Sequence, residues 1–201
     1  MTHTFVLVLF VVMGLHAQPS AEPRAASAPK VFLPAGAAPD GAPEDAPSFV
    51  NEGIVNAPIS ALWNVWTSGE GYKALGVVQA DVDFRIGGLI RSRYTAGVLG
   101  DDGTIFNRIL AYEPHRMIAI RIDRPPKSFP FKEAWKRTWT VITLADLGEH
   151  RTHLRIASMG FGADEESRAM RDFFERGNAA TLKTLKAHFE SSSGPESGSA
   201  K

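Results

Sequence analysis

The densest group of reactive side chains in this sequence is Trp135-Lys136-Arg137-Thr138-Trp139. Read as a strand, period two places Trp135, Arg137, Trp139 and Val141 on one face, and Lys136, Thr138 and Thr140 on the other. The apolar company makes the first face the inner one. An inward Arg137 between two indoles can hold a carboxylate or phosphate through a bidentate pair. A plainer role fits the same spacing: an arginine near a strand end, stacked on tryptophan and paired with a helix acid, where stacking contributes on the order of 0.5–2 kcal/mol. Asp83 and Arg85, at i and i+2, read first as a rim ion pair contributing roughly 0–1 kcal/mol, and second as a pair that orients a substrate. His150 and His153 have a spacing seen in metal sites, but on a strand they point to opposite faces and at a turn edge they are solvated. His115, after Glu113-Pro114, reads as a turn residue.

The chain has no cysteine, which excludes disulfides, thiolate nucleophiles and thiolate metal sites. It has no Gly-x-Ser-x-Gly element and no glycine-rich phosphate loop. No acid–histidine pair can be placed beside a serine. The expectation is therefore no catalytic residue, no metal and no cofactor. Lys plus Arg and Asp plus Glu both number 22, and that balance argues against a nucleic-acid partner.

These residues need elements to hold them. The segment 164–189 repeats Met170, Phe173, Phe174, Gly177, Thr181, Leu182, Leu185 and Phe189 at steps of three and four, the period of one helix face. Asp164 is a good N-cap, and Glu165 and Glu166 suit the positive end of the helix dipole. Gly177 weakens a helix by about 0.5–1 kcal/mol, so a close approach to the underlying surface is expected there. Ahead of this helix the period is two. Strands are expected at 49–55, 79–86, 89–96, 104–112, 116–123, 133–145 and 150–161, with short helices after Pro58 and at 72–75. Gly87-Gly88 and Gly100-Asp101-Asp102-Gly103 mark turns. A run of hairpins implies antiparallel pairing, hence an α+β domain with helices on one side of the sheet. The one long irregular loop, 124–132, carries Phe129 and Phe131 around Pro130. It is expected to cover a cavity mouth, to touch a membrane, or to tuck against the neck of the long helix.

Outside this domain, Phe5 to Leu15 is an apolar run followed by His16-Ala17-Gln18, which reads as a secretory signal over 1–17. Export to the periplasm or cell exterior follows, with an uncleaved N-terminal anchor as the alternative. Residues 18–47 are Ala/Pro-rich and read as a flexible linker, 48–190 as the folded domain, and 191–201 as a disordered Ser/Gly-rich tail.

The order strand, two short helices, Asp83-Phe84-Arg85-Ile86-Gly87-Gly88 hairpin, meandering strands and long last helix resembles the helix-grip fold of the START/Bet v 1-like (SRPBCC) superfamily. Pro58 to Trp66, Asp83 to Gly88 and Glu113-Pro114-His115-Arg116-Met117 resemble the branch of the C-terminal domain of the activators of Hsp90 ATPase. The resemblance implies a seven-stranded curved antiparallel sheet with two short helices and one long C-terminal helix. It also implies a cavity between sheet and helix that takes a small hydrophobic or amphipathic ligand without catalysis. Phe84, Trp135, Arg137, Trp139, Phe129, Phe131, Met170, Phe173, Phe174 and Leu182 are the expected ligand-binding residues. The alternatives are a cyclase- or hydrolase-like enzyme in the same cavity and a protein-interaction module that uses the sheet's outer face. Membrane contact is expected only through the N-terminal run or the 124–132 loop.

Overall fold

A computed structural model describes residues 49–192. The expected signal, the linker and the tail beyond Ser192 lie outside the described residues. The chain runs β1 (Phe49–Val55), α1 (Ile59–Thr67), α2 (Gly69–Tyr72), a 3-10 turn at Lys73–Leu75, β2 (Gln79–Val82), β3 (Leu89–Arg93), β4 (Ile105–Glu113) and β5 (Met117–Arg124). A second 3-10 turn at Ala134–Arg137 precedes β6 (Trp139–Asp146), β7 (Thr152–Met159) and α3 (Glu165–Ser192). The strands form one seven-stranded antiparallel sheet in the order β1-β7-β6-β5-β4-β3-β2. This is the α+β helix-grip architecture. Every neighbouring pair is consecutive in sequence except β1 and β7, which bring Phe49 opposite Ser158 and Val55 opposite Thr152. Two register shifts in the β4–β5 ladder, at Phe106/Asn107 and Ile109/Ala111, bend the sheet.

Alternation decides the two faces. Val55, Ile90, Ile109, Ile118, Ile142, Leu154 and Ile156 point inward, where Leu62, Val65 and Trp66 of α1 and Leu182 and Leu185 of α3 close over them. A second cluster, Phe49, Ala134, Phe161 and Met170, packs under the start of α3. Between the two runs a polar seam. Asn51 Nδ2 donates to the Glu175 carbonyl at 3.3 Å, Asn178 Nδ2 donates to Ser158 Oγ at 3.4 Å, and Ser158 Oγ meets Thr140 Oγ1 at 3.1 Å.

Four expectations are corrected. The strand expected over 79–86 ends at Val82, and residues 83–88 form the hairpin loop, with Gly87 at φ +79°. The strand expected from 133 starts at Trp139, because local bonds favour a helical turn before it. Trp135 Nε1 donates to the Lys132 carbonyl at 3.1 Å, Thr138 Oγ1 to the Trp135 carbonyl at 3.0 Å, and Lys136 pairs with Glu133 at 2.8 Å. Trp135, Arg137 and Trp139 therefore do not share a strand face. Gly177 makes no close approach either: a Cβ there would meet nothing within 4 Å, and the residue is exposed. Gly177→Ala should raise stability by about 0.5–1 kcal/mol, read from urea unfolding. An unchanged or lower midpoint would contradict the open site. The helix also runs to Ser192, two positions into the expected tail.

Candidate binding site at the loop end of the sheet

The register places the ends of β3, β5 and β7 and the starts of β1, β2, β4 and β6 at one end of the sheet. Residues 94–104, 125–138 and 160–164 connect elements there, and α3 begins there. Across this end the 125–133 segment lies on α3 through aromatic rings. Phe129 meets Phe131, Phe173 and Phe174 at 5.3, 6.1 and 6.1 Å, and Phe131 meets Phe173 at 5.6 Å. Trp135 packs on the same cluster, with fully buried Met170 as its floor. Phe173 stays 44% exposed.

Polar bonds lock the frame around these rings. Asp164 caps α3: its Oδ1 accepts from the Ser167 backbone N–H at 2.9 Å and its Oδ2 from Ser167 Oγ at 2.8 Å. Arg137 Nη2 donates to Asp164 Oδ2 at 2.7 Å and to Ser167 Oγ at 2.8 Å, with the side chain 56% exposed. Glu166 Oε1 accepts from the backbone N–H of Lys132 and, at 3.2 Å, from that of Glu133. The helix start and the 125–138 connection are thus tied by carboxylates of α3.

The Ser167 backbone and hydroxyl, then Arg137, hold the Asp164 carboxyl down from an ordinary 3.8 to about 2. The Lys132 and Glu133 backbone N–H groups lower Glu166 in the same way, the former more strongly. A carboxyl whose folded pKa is depressed stabilises the fold above its unfolded value and loses that contribution as pH falls through the folded one. For Asp164 the window runs from about pH 4 down to about 2. Asp164→Asn keeps a good N-cap but not the charge, so its stability relative to the parent should be lowest near neutrality and converge with it near pH 2. Parallel curves over that range in denaturant titrations would remove Asp164 from the acid response.

Of the ten residues expected to hold a ligand, the structure brings together six: Phe129, Phe131, Trp135, Met170, Phe173 and Phe174. Arg137 lies beside them but points to the helix cap. Phe84 and Leu182 belong to the other cluster, and Trp139 stands 39% exposed on the outer sheet face. Among the inward side chains Leu62, Ile90, Ile109, Leu154, Met170 and Leu185 expose 1% or less. Among the described residues no group of three His, Cys, Asp or Glu side chains is placed to hold a metal.

The family model described as "Activator of Hsp90 ATPase homolog 1-like protein" matches residues 56–190. The chain belongs to this family. The match takes in everything from the end of β1 to the last turns of α3. No curated protein matches the chain. Among solved structures, this family member is similar to a protein from Mesorhizobium loti at 18% identity and a TM-score of 0.57, over 74% of this chain and 100% of that one. It is similar to the Aha1 dimer from Colwellia psychrerythraea at 14% identity and 0.55, over 73% and 98%. A protein from Nitrosospira multiformis matches at 16% and 0.53, over 73% and 99%. At these identities the likeness is one of fold. This member has a further recess of about 360 Å³ between α1, α2 and the last turns of α3, floored by Ala61, Val65, Ala74 and Phe189.

Sequence reasoning missed Ser167, the loop-capping role of Glu166 and the polar seam. The first carried a signal: Asp164 with Ser167 three residues on is a capping spacing. The seam carried none, since Asn51, Ser158 and Asn178 come from distant segments.

Proposed function

We propose that this chain is a non-catalytic binding protein and that it receives the apolar part of a small amphipathic molecule where the 125–131 segment crosses α3. The observation that carries the reading is the ring cluster of Phe129, Phe131, Phe173 and Phe174, drawn from a proline-flanked loop and a helix and left partly open to water. Ring pairs contribute about 0.5–1.5 kcal/mol each. An entering chain replaces them with its own contacts at about 0.8 kcal/mol per buried methylene, so the loop can exchange its rings for a guest at small net cost. Arg137 is the adjacent cation for an anionic head group.

The test has two parts. Native mass spectrometry of protein purified from its own host is expected to show a co-purified small molecule. Titration with a fluorescent fatty acid is expected to give saturable binding that Phe173→Asp weakens by about tenfold or more, roughly the worth of two methylenes. Phe173→Asp also removes the ring pairs with Phe129, Phe131 and Phe174, so the melting temperature should fall and binding is read well below it. An isotherm unchanged by Phe173→Asp overturns the reading.

A second reading has its own support. Val50, Ala157, Val141, Ala119 and Ala111 form one row across five strands on the outer face of the sheet. Such a small-residue row suits a protein partner, and the family's description names activation of the Hsp90 ATPase. Loss of a chaperone interaction in Val141→Asp, with fatty-acid binding intact, would favour it.

A further inference from the structure

The segment 125–131 serves two surfaces. Its second half carries the rings that lie on α3, and its first half is pinned to the loop between β3 and β4. The Lys127 N–H donates to the Asp102 carbonyl at 2.7 Å, and the Phe129 N–H donates to the Pro126 carbonyl at 2.9 Å, closing a turn. The ends of such a turn lie within about 7 Å of each other. Where the first half meets the β3–β4 loop, a recess of about 190 Å³ opens, lined by Asp101, Asp102, Thr104, Arg124, Pro125 and Lys127. The loop side of it is fixed. Buried Arg93 bonds the carbonyls of Thr95, Ala96 and Val98 and the carboxylate of Asp101.

The charges here are not equally available. Asp101 is taken by Arg93, and Asp102 by Lys127 at 3.1 Å. With Arg93 counted, three cations (Arg93, Arg124, Lys127) face two carboxylates, which leaves one positive charge. That charge falls to Arg124, which has no carboxylate partner among the described residues. Its guanidinium rests on the ring of buried Phe106, with Cζ 3.8 Å from the centroid, and Nη2 makes a long 3.4 Å bond to the Gly100 carbonyl. A guanidinium stacked in this way keeps its edge N–H groups for an acceptor. Lys132, Glu165 and Arg168 also stand exposed at this end without ion pairs, but they do not line the recess. Arg137 is committed to Asp164 and Ser167.

We infer that this recess takes the anionic head group of the amphipathic molecule, a carboxylate or phosphate gripped by the fork of Arg124. The inference rests on the ring cluster being the ligand site and adds the end that selects the ligand. The turn at Pro126–Phe129 sets the recess beside the rings, so one short molecule spans both: its head meets Arg124 and its alkyl chain lies on Phe129. Planar, two-pronged bonding to oxygen anions is what an arginine fork offers and a neutral head cannot use.

The experiment is calorimetric titration of the full chain with decanoate, decyl phosphate and decanol, one alkyl chain under two anionic heads and a neutral one. At least one of the anions is expected to bind about tenfold or more tightly than decanol, and their order tells carboxylate from phosphate. Arg124→Gln should bring the anions to the affinity of decanol and leave decanol itself unchanged, with little effect on the thermal melt because Arg124 is exposed. Arg121→Gln removes an exposed charge from the outer sheet face and should retain the preference for anions. Equal binding of all three ligands by the parent chain overturns the head-group site and leaves the ring site standing. So does a preference that survives Arg124→Gln, one that Arg121→Gln removes equally, or one lost only in Arg137→Gln, which would move the head to the helix cap. Failure of all three ligands to bind removes the ring site, and this inference with it.

Discussion

Met170→Ala should cost the fold about 2–5 kcal/mol, the range for emptying a large buried aliphatic site. Met170 is fully buried among Phe49, Ala134 and Phe161, directly under the first turns of α3. Its neighbours are rings and a small residue on three different elements, so they cannot collapse into the space, and the upper half of the range is expected. For a domain of this size the loss corresponds to a fall in melting temperature on the order of 10 °C. Met170→Leu conserves volume and should cost less than about 1.5 kcal/mol. The measurement is the urea midpoint at constant slope. A loss below about 1 kcal/mol for the alanine variant would mean that α3 is not seated on the sheet at its start, and the floor of the proposed ligand site would go with it.

Arg93→Ala is the second large effect. Hydrogen bonds to charged groups contribute about 1.5–3 kcal/mol, and this guanidinium serves three carbonyls and a carboxylate. Asp101 is only half buried and can rehydrate, which keeps the loss below that for a fully buried broken pair. The expected cost is about 2 kcal/mol, concentrated in the loop: amide exchange across residues 94–104 should accelerate far more than exchange in β6 or β7. Arg93→Lys should not rescue, because a single ammonium cannot reproduce the planar fork that reaches four acceptors. Full protection of the loop in the lysine variant would show that charge alone holds it.

Much of the architecture was legible. Turn signals at Gly87-Gly88, 100–103 and Glu113-Pro114 separate runs of period two, and the hairpin order follows from them. Asp164 announced the start of α3 through its cap chemistry. The pairing of β1 with β7 is not readable from any local pattern, since the two strands lie at opposite ends of the domain's sequence. Trp135-Lys136-Arg137 misled because alternating bulky residues mimic a strand. The contrary signal was Glu133 with Lys136, an i, i+3 pair suited to a helical turn. Arg137 makes the acid pairing that its plainer reading expects, with Asp164 at the helix start. Phe129 and Phe131 tuck against α3, one of the three outcomes expected for their loop. A cavity between sheet and helix is implied by the family resemblance alone, and no periodicity encodes it.

The partnership of β1 with β7 sets a timetable. A nascent chain emerging from the ribosome can zip β2 through β6 as successive hairpins, but Phe49–Val55 has no mate until Thr152–Met159 has been translated. Loop closure over that separation is slow relative to hairpin formation. The first strand therefore waits, with its hydrogen-bonding edge bare, until nearly the whole polypeptide exists. Fragments ending ahead of Thr152 should remain dependent on a holdase and prone to aggregate, and the domain should mature after synthesis, not during it.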